Sequence, residues 1–179
     1  NNVPTFTNKA AAHNATLPFT RNVIGPMDYT PCAFSDSQHP HITTHAHELA
    51  LTVLFESGLQ HLADRPERFL AQPAQVQHFL GQLPAAWDET RLLSGSPADR
   101  AVIARRSGNT WYVAGINGTD EAKDITCSLG SIVPKATSMT TFEDSGDAAQ
   151  PWRIREQVPV SAQTKVTCQP RGGFVFVVK

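Results

Sequence analysis

Residues 101–118, AVIARRSGNTWYVAGING, decide the architecture. Two runs rich in β-branched, aromatic and small apolar residues, 101–106 and 111–116, are separated by Ser107, Gly108 and Asn109, the turn residues of a hairpin. Immediately after them stands Asn117-Gly118, the strongest hairpin dipeptide in the chain, opening the connector NGTDEA at 117–122 toward a third run at 123–129. The same rhythm predicts strands at 136–142, 152–160, 164–169 and 172–178, the last introduced by Gly172-Gly173. Short strands at such spacing fit an antiparallel sandwich or barrel.

Upstream the period changes. Residues 16–24 (TLPFTRNVI) read as a strand, and GPMDYTP closes it in a turn built on Gly25, Pro26 and Pro31. THAHELALTVLFES reads as a helix: Thr43 or Thr44 caps it, and Glu48 sits near the positive end of the helix dipole. Leu49, Val53, Leu51 and Phe55 recur at helical spacing and Leu54 fills a second stripe, so burial on more than one side is expected. Gly58 is the expected stop. LQHLAD at 59–64 reads as a short strand, and PAQVQHFLGQL at 73–83 as an amphipathic helix starting at Pro73. Strand, helix, strand, helix is the order of two consecutive β/α units. The chain therefore divides near Trp87, into residues 1–86 and an all-β part at 87–179.

At 179 residues and 19.5 kDa there is room for one ordinary domain or two small ones. Charged residues make up 17% against about 25% in a typical domain, and Lys+Arg 15 nearly cancels Asp+Glu 16. No run of about 18 apolar residues occurs. Nucleic-acid binding, a disordered tail and a membrane span are disfavoured. Cys32, Cys127 and Cys168 are too far apart for a metal knuckle and define no disulfide framework, which leaves the state of Cys127 and Cys168 open. The sequence opens on Asn1 with no signal-peptide pattern, so the chain is expected to begin inside a longer protein.

His39, His41, His45 and His47 crowd into HPHITTHAHE. A zincin motif needs a second His four residues after the first, and Leu49-Ala50-Leu51 follow His47-Glu48 instead. His45 and His47 are two positions apart, about 200° around a helix, and cannot chelate one ion together. Asp28 and Asp64 each follow a predicted strand, where a β/α barrel keeps its catalytic groups, although an Asp there is also an ordinary turn residue. Glu48 and Glu56 read as helix charges. No nucleophile elbow, phosphate-cradling loop or Cys–His pair is present. The sequons Asn14-Ala-Thr16 and Asn117-Gly-Thr119 are short patterns, and Asn117 already has a turn to explain it. Trp87, Trp111 and Trp152 are candidates for a sugar-stacking platform or for core.

Three longer stretches, ATLPFTRNVIGPMDYTP, THAHELALTVLFESGLQHLAD and LPAAWDETRLLSGSPADRAVIARRSGNTWYVAGING, resemble the C-terminal portion of glycoside hydrolase family 97 over about residues 13–118. The resemblance implies α-glucosidase or α-galactosidase activity on terminal α-linked sugars, in a bacterial periplasmic or extracellular setting. It also implies an N-terminal β-sandwich, a central (β/α)8 barrel with an active-site Ca2+, and a C-terminal all-β domain. On it LPFTR and LQHLAD become barrel strands seven and eight. The fold is then α+β: the last two β/α units of the barrel followed by an antiparallel β-sandwich.

The family's catalytic carboxylates and calcium ligands have no matching positions here, so the resemblance leaves neither catalytic nor metal-binding residues in this chain. As substrate-contacting wall it points to Asp28 and Tyr29, then Arg21 and His13, each with a structural role as the alternative. Oligosaccharide would be bound by way of the upstream catalytic region, and the chain alone is expected to be inactive. Cys32 stands where relatives often have Gly. Two other readings remain: a noncatalytic scaffold or carbohydrate-binding β domain, and an independent small enzyme built on Asp28 and Asp64.

Overall fold

The computed structural model describes residues 8–36, 40–133 and 138–179. From residue 89 onward it is all strand and turn: β1 (Glu89–Ser96), β2 (Arg100–Ser107), β3 (Thr110–Asn117), β4 (Lys123–Ser128), β5 (Ser138–Asp144), β6 (Trp152–Pro159), β7 (Gln163–Cys168) and β8 (Gly173–Val178). Six of these form one antiparallel sheet in the order β1-β2-β3-β8-β5-β6, while β4 and β7 pair by themselves. Central strands β2, β3 and β8 are apolar nearly throughout because both faces of the sheet are covered. Ile103, Tyr112, Ala114, Ile116 and Val175 turn toward the helices. The alternate residues Val102, Trp111, Val113, Phe174 and Phe176 turn toward the β4–β7 pair. Gly115 makes room for this packing: a Cβ there would lie 2.3 Å from the Phe174 ring.

The expected strands at 101–106, 111–116, 123–129, 152–160, 164–169 and 172–178 all form, within a residue or two at their ends. That at 136–142 begins at Ser138, residues 136 and 137 lying outside the described residues. Strand β1 carries no alternating apolar signal because it is a largely exposed edge, and it was not anticipated. Asn117-Gly118 needs a correction. It is not a hairpin turn, since β3 pairs with β2 and β8 while the chain crosses to the second sheet as β4. The Asn117 side chain is wholly buried and organises that crossing: Oδ1 accepts from the Thr119 N–H and hydroxyl, and Nδ2 donates to Glu121 O and Gln169 O.

The second correction concerns 16–24, which is helical rather than extended. Helix α1 (Ala10–Thr16) runs through a 3-10 turn, Leu17–Phe19, into the single turn α2 (Arg21–Ile24). Ala10, Ala11 and Ala12 favour helix, and Thr16 and Thr20 turn their hydroxyls back to Ala12 O and Thr16 O, so local hydrogen bonding outweighs the β-branched pattern. The extended segment is the next one, read above as a closing turn. Met27 is buried, Asp28 exposed, Tyr29 half-buried and Thr30 exposed, a period of two. Met27 N–H donates to Glu56 O at 2.9 Å, Tyr29 and Gln60 form a parallel bridge, and Ala63 N–H donates to Pro31 O at 3.0 Å. Residues 59–64 meet 27–31 through the last two of these, without forming a regular strand.

Between the two segments lies α3 (His45–Leu54). Thr44 caps it by accepting from the His47 N–H at 3.1 Å. The helix stops four residues before Gly58 because Phe55 turns into the core in extended geometry and commits the Glu56 carbonyl to Met27. Two further helices follow, α4 (Pro66–Leu70) and α5 (Ala74–Gly81), the latter opening one residue after its expected start at Pro73. Leu49, Val53 and Phe55 join Val76 and Phe79 in the layer that covers the sheet. Helices, six-stranded sheet and two-stranded sheet thus stack as three layers, with one apolar core on each side of the middle one.

Candidate functional site

The four wall candidates do not converge on one pocket. His13 is exposed on α1. Arg21 donates to Gly25 O at 3.2 Å and Pro26 O at 3.1 Å, so its guanidinium closes the chain reversal that leads into the extended segment. Tyr29 faces inward, with its ring edge-on to Phe55 at 4.6 Å and its hydroxyl donating to Asn14 Oδ1 at 3.5 Å. Burial, helped by the Glu48 carboxylate, pushes the Tyr29 phenol well above its ordinary value, so it stays a neutral donor. Asp28 points the opposite way along the same segment and is exposed. Of the four, Asp28 brings an exposed carboxylate.

Behind Tyr29 runs a buried polar chain that sequence reading did not find. Asn14 Nδ2 lies 3.1 Å from His47 Nε2, and His47 Nδ1 lies 3.2 Å from Gly172 O. A carbonyl only accepts, so Nδ1 carries the proton and Nε2 accepts from the Asn14 amide. His47 is wholly buried, and burial lowers its pKa to about 4 against the weaker upward pull of the Gly172 and Arg171 carbonyls. Thr44 N–H donates to Arg171 O at 3.3 Å beside it. The other end of α3 is held likewise: Arg105 of β2, 3% exposed, donates to Leu54 O at 3.2 Å and to Thr90 Oγ1 at 2.9 Å. Both ends of this helix are therefore tied to the sheet. The sequon reading of Asn14 hid the first tie, since only the fold shows that its amide is buried and engaged.

Asp64, the partner of Asp28 in the small-enzyme reading, is a loop staple. It accepts from Phe34 N–H and Ser35 Oγ, each at 2.8 Å, and from its neighbour Arg65 N–H at 2.9 Å. Partial burial works to raise its pKa, but the hydrogen bonds from Ser35, Arg65 and Phe34 leave it below the ordinary value. Glu48 is less exposed than a helix charge would be: it accepts from Thr43 Oγ1 at 2.7 Å, and burial raises its pKa against that bond and the nearby His41. The histidines separate by environment, His47 in the core and His45 stacked on Phe34 at 5.2 Å, while His39 lies outside the described residues. Among the described residues no group of three or more His, Cys, Asp or Glu side chains is placed to hold a metal ion.

Nor do the tryptophans form a common platform. Trp111 is buried under the β4–β7 pair, Trp87 packs edge-on to Tyr112 at 5.3 Å, and Trp152 packs edge-on to Phe34 and His45, each at 5.7 Å. Cys32, Cys127 and Cys168 are free and buried. Cys127 pairs with Thr164 and Cys168 with Lys123, a register that sets the two four residues apart, beyond what a disulfide spans. Cys32 has φ 65°, the left-handed region that suits Gly. Among the described residues no helix is long and apolar enough to cross a membrane.

The description "Glycosyl-hydrolase 97 C-terminal, oligomerisation" matches residues 86–179. A retaining alpha-galactosidase of Bacteroides thetaiotaomicron is 34% identical over an alignment of 182 residues, covering 93% of this chain and 27% of that protein. A probable retaining alpha-galactosidase of Streptomyces bingchenggensis is 52% identical over 122 residues, 68% of this chain and 19% of that one. Among solved structures, a beta-arabinopyranosidase superposes with TM-score 0.85 at 26% identity, over 97% of this chain and 28% of its own. A glycoside hydrolase family 97 enzyme of Pseudoalteromonas sp. strain K8, in complex with panose, superposes with TM-score 0.82 at 29% identity, over 94% and 28%. The chain thus spans between 19% and 28% of the length of these relatives.

Proposed function

Because the chain belongs to glycosyl-hydrolase family 97 and carries its C-terminal part, we propose that it is the closing quarter of a retaining, exo-acting α-galactosidase. In that reading the helical half supplies the last two β/α units of a (β/α)8 barrel and the strands from β1 onward supply the β domain, to which the family description attaches oligomerisation. The observation that carries the proposal is the reach of the likeness. It covers 93% of the chain against an α-galactosidase, so it includes the helical half that the C-terminal description leaves out.

Geometry supports it. The parallel contact of 27–31 with 59–64 across α3 is the connection a β/α unit makes. Val23, Ile24 and Leu59, exposed at 72%, 86% and 66%, give apolar surface of the kind neighbouring barrel strands cover. On this reading Asp28 faces the barrel interior. The acid that protonates the leaving oxygen and the carboxylate that attacks the anomeric carbon come from upstream strands. On the same reading the oxygen ligands of calcium come from upstream too, since no three His, Cys, Asp or Glu side chains cluster for a metal among the described residues. The same reading takes the protein to act in the bacterial periplasm or outside the cell. The scaffold reading of the β domain draws on the burial of Trp111, which leaves it no sugar-stacking face.

A complementation assay tests the proposal. The chain alone, with calcium or with chelator, is expected to leave 4-nitrophenyl α-galactoside intact. Mixed with the Bacteroides thetaiotaomicron enzyme truncated before the matching segment, it is expected to restore turnover. Turnover by the chain alone that Asp28→Asn abolishes would overturn the assignment of catalysis to upstream residues.

A further inference from the structure

We propose that Asn117-Gly118 is a covalent modification site that the fold keeps closed: once the chain opens there, Asn117 loses its amide as ammonia through a succinimide, and the product no longer refolds. The inference stands apart from the hydrolytic reading, because it involves neither substrate nor upstream residues. It rests on the only Asn-Gly pair in the sequence and on what surrounds that pair.

Packing dictates both residues. A Cβ at position 118 would lie 2.5 Å from Ala98 O and 2.8 Å from the Ala15 methyl, so Gly is what fits where the chain leaves β3. The wholly buried Asn117 donates from Nδ2 to Glu121 O at 2.6 Å and to Gln169 O at 3.0 Å. Its Oδ1 accepts from the Thr119 N–H at 3.0 Å and the Thr119 hydroxyl at 2.8 Å. Donors on one side and an acceptor on the other belong to an amide, since a carboxylate has nothing to give the two carbonyls. The fold thus sets a side-chain amide beside a backbone nitrogen whose own residue has no side chain to hinder its approach.

The reaction needs only water. The Gly118 nitrogen gives up its proton and attacks Asn117 Cγ, a five-membered imide closes, and the Cγ–Nδ2 bond breaks as Nδ2 leaves as ammonia. Water then opens the imide at either carbonyl, giving Asp or its β-linked isomer. In sum, amide and water become carboxylic acid and ammonia. The bonds from Thr119 to Oδ1 polarise Cγ and favour attack, so protection comes from the other participants. Gly118 N–H donates to Asp99 O at 2.8 Å, and Nδ2, the group that must depart, is bonded twice. Asn117 N–H donates to Gly172 O at 2.8 Å and the residue pairs with Arg100, which holds the backbone in the strand geometry it must leave before the ring can close.

The product does not fit the place it came from. A carboxylate there would turn an acceptor toward Glu121 O and Gln169 O with no access to solvent. The β-linked isomer adds a methylene to the backbone at the end of β3, where the chain crosses to β4. An opening that lasts long enough for ring closure therefore removes the chain from the folding equilibrium.

The test is the rate at which Asn117 is lost, read by mass spectrometry of the peptide that spans it, across a urea series in mildly alkaline buffer. The rate should follow the unfolded fraction measured by tryptophan fluorescence, and should be at least about a hundredfold slower in buffer than in denaturing urea, because only the opened chain reacts. On dilution out of urea, the fraction that refolds should match the fraction still carrying Asn117. Asn117→Asp, made directly, should fail to reach the folded signal or melt far below the original. Equal rates in buffer and in urea, full refolding of converted chains, or an Asn117→Asp protein as stable as the original would each overturn the proposal.

Discussion

On its dry face, under the β4–β7 pair, the six-stranded sheet buries a cluster of hydrocarbon and sulfur, Val102, Phe174 and Phe176 against Ile125, Leu129 and Cys127, and at β5 sets Thr141 and Glu143 beside it. Under α3 the same sheet buries His47 and Arg105 beside an equally apolar cluster. The cluster itself needs only shape and volume, and a displaced strand there would meet other hydrocarbon. The helix face also carries donors and acceptors that are satisfied in one arrangement alone, with Gly172 O at one end of α3 and Leu54 O at the other. Apolar burial holds both layers to the sheet, and the polar ties fix where along it the helix stands.

The largest expected effect lies on the dry face. Phe174 is wholly buried and its ring lies 4.7 Å from that of Phe176. Phe174→Ala should cost about 3–5 kcal/mol in urea denaturation, the usual range for a core aromatic. Because α3 rests on the other side of the same strand, the helical signal and the fluorescence of Trp111 should lose stability together. Independent transitions would break the comparison by showing two folding units.

The helix face should respond to pH where the dry face does not. His47 titrates at about 4 when folded, against about 6.5 when unfolded. Below pH 6.5 the unfolded chain takes up a proton that the folded chain refuses, so this contribution is full above that value. It is lost as pH falls, reaching about 3 kcal/mol near pH 4. Burial raises the pKa of Glu48 and of Asp144, which acts in the opposite sense in acid, so the His47 share is read as a difference. The stability gap between the protein and His47→Gln should be widest at pH 7–8 and shrink by about 1.4 kcal/mol per unit below 6.5. A gap constant down to pH 4.5 would show that the tie at His47 is not what acid loosens.

The same contrast explains what could be read from the sequence. On the dry face each strand announces itself, since a sheet covered on both sides turns runs such as 111–116 and 173–178 continuously apolar. Edge strand β1 has no such requirement and left no pattern. In the helical half, α3 was legible from its period and its Thr44 cap, whereas 16–24 misled because a β-branched rhythm was overruled by hydroxyl-to-carbonyl bonds between residues four apart. Buried polar partners come from distant parts of the chain, so Asn14 with His47 and Asp144 with Gly173 have no local signature. Of the wall candidates, the alternation through 27–30 sorts Tyr29 inward and Asp28 outward. That distinction was available only once the segment was known to be extended.

The smallest effect on stability belongs to Asp28. Its side chain is exposed on the open face of the 27–31 segment, and Asp28→Asn changes its charge while leaving its size nearly unaltered. The folding free energy should therefore move by less than about 0.5 kcal/mol, as for surface substitutions generally. Tyr29→Phe, one residue away, removes the donor to Asn14 Oδ1 and should move it further. In the complemented enzyme the order should invert, Asp28→Asn lowering kcat/KM for an α-galactoside more than Tyr29→Phe does, because only the outward residue can face a substrate. Equal losses from the two variants would mean that the alternation along this segment does not separate wall from core.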